Sequence, residues 1–142
     1  MKSFVIYLFG LLAFLQTSAQ TLEVSITNIR NTKGQLYVAI FNNDQSFKVE
    51  VPVFGKKYAK ADIQNKTYRL VIPIPPGEYG LSILDDENSD GKMNYRFVGF
   101  PLEGFGFSNY KHRGIRKPRF KQFSFQVAIN QKLLIEVEMT YL

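Results

Sequence analysis

Between residues 133 and 141 every second side chain is large and apolar: Leu133, Ile135, Val137, Met139 and Tyr141. An extended chain points successive side chains to opposite faces, so a two-residue period buries one face only as a β-strand. The same period recurs along the chain. Leu22, Val24 and Ile26 alternate with Glu23, Ser25 and Thr27; Tyr68, Leu70, Ile72 and Ile74 share a face, as do Tyr79, Leu81 and Ile83. Leu36 to Phe41 is apolar on both faces, which predicts a central strand covered on two sides. Phe120, Phe123, Phe125, Val127 and Ile129 suggest a further strand, out of phase at its start. After residue 19 no helical period of useful length occurs, which points to an all-β chain.

Turn residues separate these runs. Asn31-Thr32-Lys33-Gly34, Pro75-Pro76-Gly77 and Asn130-Gln131-Lys132 predict three hairpins. These join Leu22–Ile29 to Leu36–Phe41, Thr67–Ile74 to Glu78–Leu84, and the run from Phe120 to the C-terminal strand. Phe47 to Tyr58 reads as an edge strand or a short helical turn, because Pro52 disfavours a central strand. Tyr95–Val98 reads as a short strand, and Gly99 to Pro118 carries few strand signals. The expected fold is a single antiparallel Greek-key β-sandwich of about seven strands, with a small β-barrel as the alternative.

The first residues have a different character. Met1-Lys2-Ser3 precedes an apolar run from Phe4 to Leu15, and Gln16-Thr17-Ser18-Ala19-Gln20 follows. A basic start, a short apolar stretch and a small-residue cleavage zone are the marks of a signal peptide. A membrane-spanning helix needs roughly 20 apolar residues. Residues 1–19 are therefore expected to be a signal peptide and residues 20–142 one domain, exported to the periplasm or the cell surface. The chain has no cysteine, so neither disulfides, thiol catalysis nor a cysteine lipid anchor is available. Its net charge is +6. In an exported protein this points away from nucleic acid, toward solubility or anionic envelope surfaces.

The most informative stretch is Asp85-Asp86-Glu87-Asn88-Ser89-Asp90-Gly91-Lys92-Met93-Asn94. From Asp86 it follows the first half of the calcium-loop pattern, in which alternate oxygen side chains surround a hard cation and a glycine permits the sharp turn. Asp86, Asn88 and Asp90, the Lys92 carbonyl and Asn94 form the candidate ligand set. The twelfth position is Phe97 rather than glutamate and no helices flank the loop, so this is no EF-hand. Glu103 or Asp85 would complete the shell. Asn, Ser, Asp and Gly also make an ordinary turn; against that, Asp85, Asp86, Glu87 and Asp90 would repel one another without a counter-ion.

A second glycine-rich stretch runs from Gly99 to Asn109, and a basic one, Lys111 to Lys121, follows. Long loops of this kind either carry function or are pinned to the core, here by Phe100, Phe105 and Phe107. A ligand contact would draw on Phe105, Phe107, Ser108, Asn109, Tyr110 and Arg113. The basic stretch would suit phosphates or acidic glycans, neutralise the acidic loop, or simply be solvated. His112 is the sole histidine, and no serine lies in a nucleophile-elbow pattern. No complete catalytic set is visible; paired carboxylates for glycoside hydrolysis are the one enzyme class with raw material.

Several of these motifs together resemble the bacterial exported family DUF2141, across residues 22 to 141. They are Gly34, Pro76-Gly77-Glu78-Tyr79, Asp86-Glu87-Asn88 with Gly91-Lys92, Gly99-Phe100-Pro101, Glu103-Gly104, Gly106-Phe107-Ser108-Asn109, and Pro118 with Phe120. Two positions depart from the family pattern: Asp85 stands where histidine is common and Asn94 where aspartate is common. The first removes an imidazole; the second removes one charge from a calcium site. The resemblance implies an exported β-sandwich and marks the two loops, without an established activity. The Pro-Pro-Gly-Glu-Tyr turn also resembles those of transthyretin-like sandwiches, mostly accessory modules. The functional expectation is a non-catalytic binding or accessory module of the bacterial envelope, its partner an envelope protein or glycan, with calcium the one candidate cofactor. The alternative is a glycan-binding or glycan-acting domain using the Gly99–Asn109 loop.

Overall fold

A computed structural model describes residues 20–142; the leader expected over residues 1–19 lies outside the described residues. Among the described residues, eight strands form two packed sheets. In chain order they are β1 (Thr21–Thr27), β2 (Gln35–Phe41), β3 (Phe54–Ala59), β4 (Tyr68–Pro73), β5 (Gly77–Asp86), β6 (Gly104–Phe107), β7 (Ser124–Val127) and β8 (Lys132–Glu138). A single helical turn, α1 (Asp44–Lys48), follows β2. Asn43 caps it, accepting a hydrogen bond from the Ser46 N–H at 2.8 Å. The small sheet has the order β4-β1-β8; the large sheet runs β3-β2-β5-β6, with β7 paired further along the same edge of β5 as β6. Among the described residues no helix is long and apolar enough to cross a membrane.

The apolar face of each alternating run meets its counterpart across the core. Leu22, Val24 and Ile26 of β1, Ile135 and Val137 of β8, Leu36, Val38 and Ile40 of β2, and Leu81 and Ile83 of β5 are all buried there. The sandwich expected from the period is thus present, but the expected hairpins are not. β1 and β2 lie in different sheets, as do β4 and β5, and β7 and β8. Period two marks a strand's inner face, and two strands facing each other across a sandwich carry the same signal as two paired side by side. The pairing is also not purely antiparallel: β1 and β8 run parallel, with Leu22 opposite Leu133 and Ile26 opposite Val137.

Other local expectations are refined. Phe47 to Tyr58 supplies both options, the helical turn that buries Phe47 and the edge strand β3. Phe97–Gly99 is a 3₁₀ turn rather than a strand, with Phe97 92 % exposed. The Gly99–Pro118 stretch contains β6, whose Gly-Phe-Gly-Phe sequence hides its inner face. Gly104 and Gly106 face Tyr141, Val137 and Met139 at a range where a Cβ would collide. That close approach closes one side of the sandwich. Phe105 and Thr140 exchange backbone hydrogen bonds of 3.0 and 2.7 Å, and Asn109 N–H donates to the Glu136 carbonyl at 2.7 Å. The molecule is therefore a sandwich closed like a barrel along one edge. Gly104→Ala is expected to cost about 1–3 kcal/mol by overpacking, because the Tyr141 ring it meets is held by a hydrogen bond to Asp85. Chemical denaturation checks this; an unchanged midpoint would mean that the β6–β8 edge is looser than described.

Candidate functional site

The acidic loop connects the adjacent, antiparallel strands β5 and β6. Asp85 pairs with Gly104, so the next step of the register sets Asp86 opposite Glu103 at the base of the loop. Gly34, with φ of 72°, packs against the Asp86 and Glu87 backbone, which only a residue without Cβ allows.

The four clustered acids do not face one another. Asp85 turns inward, wholly buried, and its Oδ1 meets Lys60 Nζ at 2.5 Å. Its Oδ2 accepts from the Tyr141 hydroxyl at 2.6 Å. Burial, then the bond to Asp85, pushes the Tyr141 phenol far above its ordinary value. Lys60 also reaches Asn31 Oδ1 at 3.3 Å, and Tyr141 accepts from the Arg30 N–H at 2.9 Å. Glu87 pairs with Arg30 at 2.9 Å. Asp85 is thus taken up by a dry ion pair and does not complete a cation shell, contrary to one of the two options its position offered.

Asp86, also buried, organises the loop. Its Oδ2 accepts from Gln35 Nε2 at 2.6 Å and Gly91 N–H at 2.9 Å, and its Oδ1 from Asp90 N–H at 3.1 Å. Asn88 Oδ1 accepts from Asp90 N–H at 3.0 Å, and Asp90 Oδ1 from Lys92 N–H at 3.0 Å. The amides of Asn88 and Asn94 both donate to Asp90 Oδ2, at 3.2 and 2.9 Å. These bonds, that of Asn94 foremost, hold the Asp90 carboxyl below its ordinary range. Among the described residues no three His, Cys, Asp and Glu side chains group as a metal cluster; the oxygens gathered here are shared between carboxylates and amides.

Glu103 stands apart. It is 5 % exposed, its Oε2 accepts from the Asn94 N–H at 3.1 Å, and its Oε1 is buried without a hydrogen-bond partner. Burial, then the nearby charges of Asp86 and Asp90, raise its carboxyl above the usual range. An orphaned buried carboxylate oxygen is costly unless something of opposite charge meets it. The predicted residues Asp86, Asn88, Asp90, Asn94 and Glu103 are therefore brought together, and Lys92 joins through its backbone N–H.

The second predicted group divides. The Ser108 hydroxyl is buried, donating to the Phe123 carbonyl at 2.6 Å and accepting from the Leu81 N–H at 2.9 Å. Asn109 Oδ1 accepts from the Glu136 N–H at 2.9 Å. Both tie the fold together. The Tyr110 hydroxyl accepts from Gln122 Nε2 at 2.9 Å, and Arg113 is exposed. Phe100, expected to pin its loop, is 47 % exposed. Phe105 and Phe107 instead point outward from β6 onto the outer face of the large sheet.

There, with Ala39 and Phe41 of β2 and Phe47 of α1, they floor a cleft of about 480 Å³. The acidic loop forms one wall through Gly91–Met93, and the basic stretch forms the other through His112 and Gly114–Pro118. The cleft had one sequence signal: Leu36–Phe41 is apolar on both faces because its outer face is roofed by loops. Lys60 and Tyr141 had none.

A family model described as "Uncharacterized protein conserved in bacteria (DUF2141)" matches residues 24–134. No curated protein and no solved structure matches the chain.

Proposed function

The chain belongs to the DUF2141 family, and from that premise we propose that it is a non-catalytic, exported binding module of the bacterial envelope whose acidic loop is closed by calcium. Glu103 Oε1 carries the reading: a buried carboxylate oxygen without a protein donor, beside the Asp86–Asn94 loop. Calcium takes six to eight oxygens from carboxylates, amides, carbonyls and water. Asp86, Asn88, Asp90, Asn94 and Glu103 offer that donor chemistry, with the Lys92 carbonyl in the seventh position of the loop pattern. The apolar leader supports export. The non-catalytic reading draws on the surroundings of the two reactive side chains most favoured by position: Ser108 is buried and bonded to backbone, and His112 Nε2 lies 2.6 Å from the Arg116 carbonyl. The glycan reading has less behind it, since Ser108, Asn109 and Tyr110 already use polar atoms in hydrogen bonds within the chain.

The test is thermal unfolding in EDTA and in 10 mM calcium. Extracellular calcium modules have Kd near 10⁻⁴–10⁻³ M. At 10 mM, about 10–100 Kd, calcium adds about 1.4–2.7 kcal/mol, which for a domain of this size raises the midpoint by roughly 5–10 °C. Glu103→Gln is expected to lose that rise and, in EDTA, to be at least as stable as the parent protein, because the amide buries no charge. An equal calcium rise in the variant would remove Glu103 from the site.

A further inference from the structure

We propose that the cleft on the outer face of the large sheet binds a small anionic amphiphile, an apolar body of medium-chain length bearing one carboxylate-type head. The inference takes the chain to be a binding module but does not depend on the cation. At about 480 Å³ the cleft falls within the range of small-molecule sites, which are mostly apolar with a few polar groups fixing orientation. Its floor, Ala39, Phe41, Phe105 and Phe107, is a cluster separate from the sandwich core. These side chains are 4–8 % exposed, covered by α1 and by the two loops, which leave the cleft between them.

The charged side chains of the rim are mostly basic. Lys57, Lys92, Arg116 and Lys117 line the cleft together with a single acid, Glu50. Glu50 is neutralised by Lys117. Lys57, Lys92 and Arg116 enter no salt bridge among the described residues. Lys57 Nζ lies beside Gly91, so it projects to the wall where Lys92 begins. An apolar floor under three unpaired cations attracts and orients an anion whose body is hydrocarbon, and rejects a cation of the same shape. A neutral sugar would leave those cations unmatched.

The experiment is displacement of 1-anilinonaphthalene-8-sulfonate fluorescence from the folded protein by decanoate and by decyltrimethylammonium, both below micelle formation. Decanoate is expected to displace the probe and decyltrimethylammonium to fail. Lys57→Gln/Arg116→Gln, both at exposed positions lining the cleft, should weaken decanoate by roughly tenfold or more, the scale of a lost bond to a charged group, with the thermal midpoint unchanged. Ser82 of β5, opposite Ala39, also lines the cleft; Ser82→Phe, which fills it from the floor, should abolish binding of probe and decanoate alike. Equal displacement by the two surfactants, no displacement by decanoate, or full affinity in the charge variant would overturn the proposal. Repeating the titration in EDTA keeps this separate from the calcium reading: decanoate binding in EDTA upholds the cleft whatever the fate of the cation site.

Discussion

Asp85→Ala is expected to be the most damaging single change in this molecule, lowering stability by about 3–5 kcal/mol, the usual cost of removing one partner from a buried ion pair. The variant leaves the Lys60 ammonium fully buried with only Asn31 Oδ1 at 3.3 Å, and it takes the acceptor from the Tyr141 hydroxyl. For a domain of this size the thermal midpoint should fall by roughly 10–20 °C. The loss reflects an uncompensated charge rather than a strong bond, so removing both charges should recover much of it. Lys60→Met/Asp85→Leu is expected to be clearly more stable than Asp85→Ala. Urea denaturation of the three proteins measures this. A single-variant loss below 1 kcal/mol would mean that water reaches the pair.

Ser108→Ala comes next, at about 3 kcal/mol. The hydroxyl accepts from the Leu81 N–H at 2.9 Å and donates to the Phe123 carbonyl at 2.6 Å, joining β5, the end of β6 and the turn that leads into β7. Alanine leaves the Leu81 N–H buried without that acceptor, and one orphaned buried group costs about 1–3 kcal/mol; two bonds lost together set the upper part of that range. Because the serine sits in the stretch that sequence marked for ligand contact, the variant separates two roles. A stability loss with decanoate affinity preserved at low temperature is expected. Unchanged stability with lost affinity would return Ser108 to the ligand site.

The strands and their inner faces were legible because burial on one side imposes a period of two. The runs at Leu22–Ile26 and Leu133–Val137 are buried as their pattern demands. Strand partners were not legible. Pro75-Pro76-Gly77, an apparent hairpin turn, instead arches from the small sheet to the large one, since a core shared by two sheets leaves the same apolar pattern either way. β6 was hidden for a different reason. Its inner residues are glycines, chosen by the closeness of β8, and glycine carries no hydrophobic signal. Asp86, Asn88, Asp90 and Asn94 were readable because the loop that positions them is local. Glu103, one of two residues offered to complete the shell, is brought to the loop by the β5–β6 pairing, which was as hidden as β6 itself. The Lys60–Asp85 pair, 25 residues apart, left no trace: Lys60 is one of several lysines in an unremarkable run, and Asp85 looked like one more loop acid.

The calcium-closed loop is tested most directly by isothermal titration of calcium into the metal-free protein, with magnesium as a parallel titrant and Asp86→Ala/Asp90→Ala alongside. One calcium per chain with Kd near 10⁻⁴–10⁻³ M, little response to magnesium and no heat from the double variant is the predicted result. An absence of binding heat from the folded parent protein, with the Glu103 oxygen still buried, would contradict it and leave the acidic stretch as a turn that orders itself through its own hydrogen bonds.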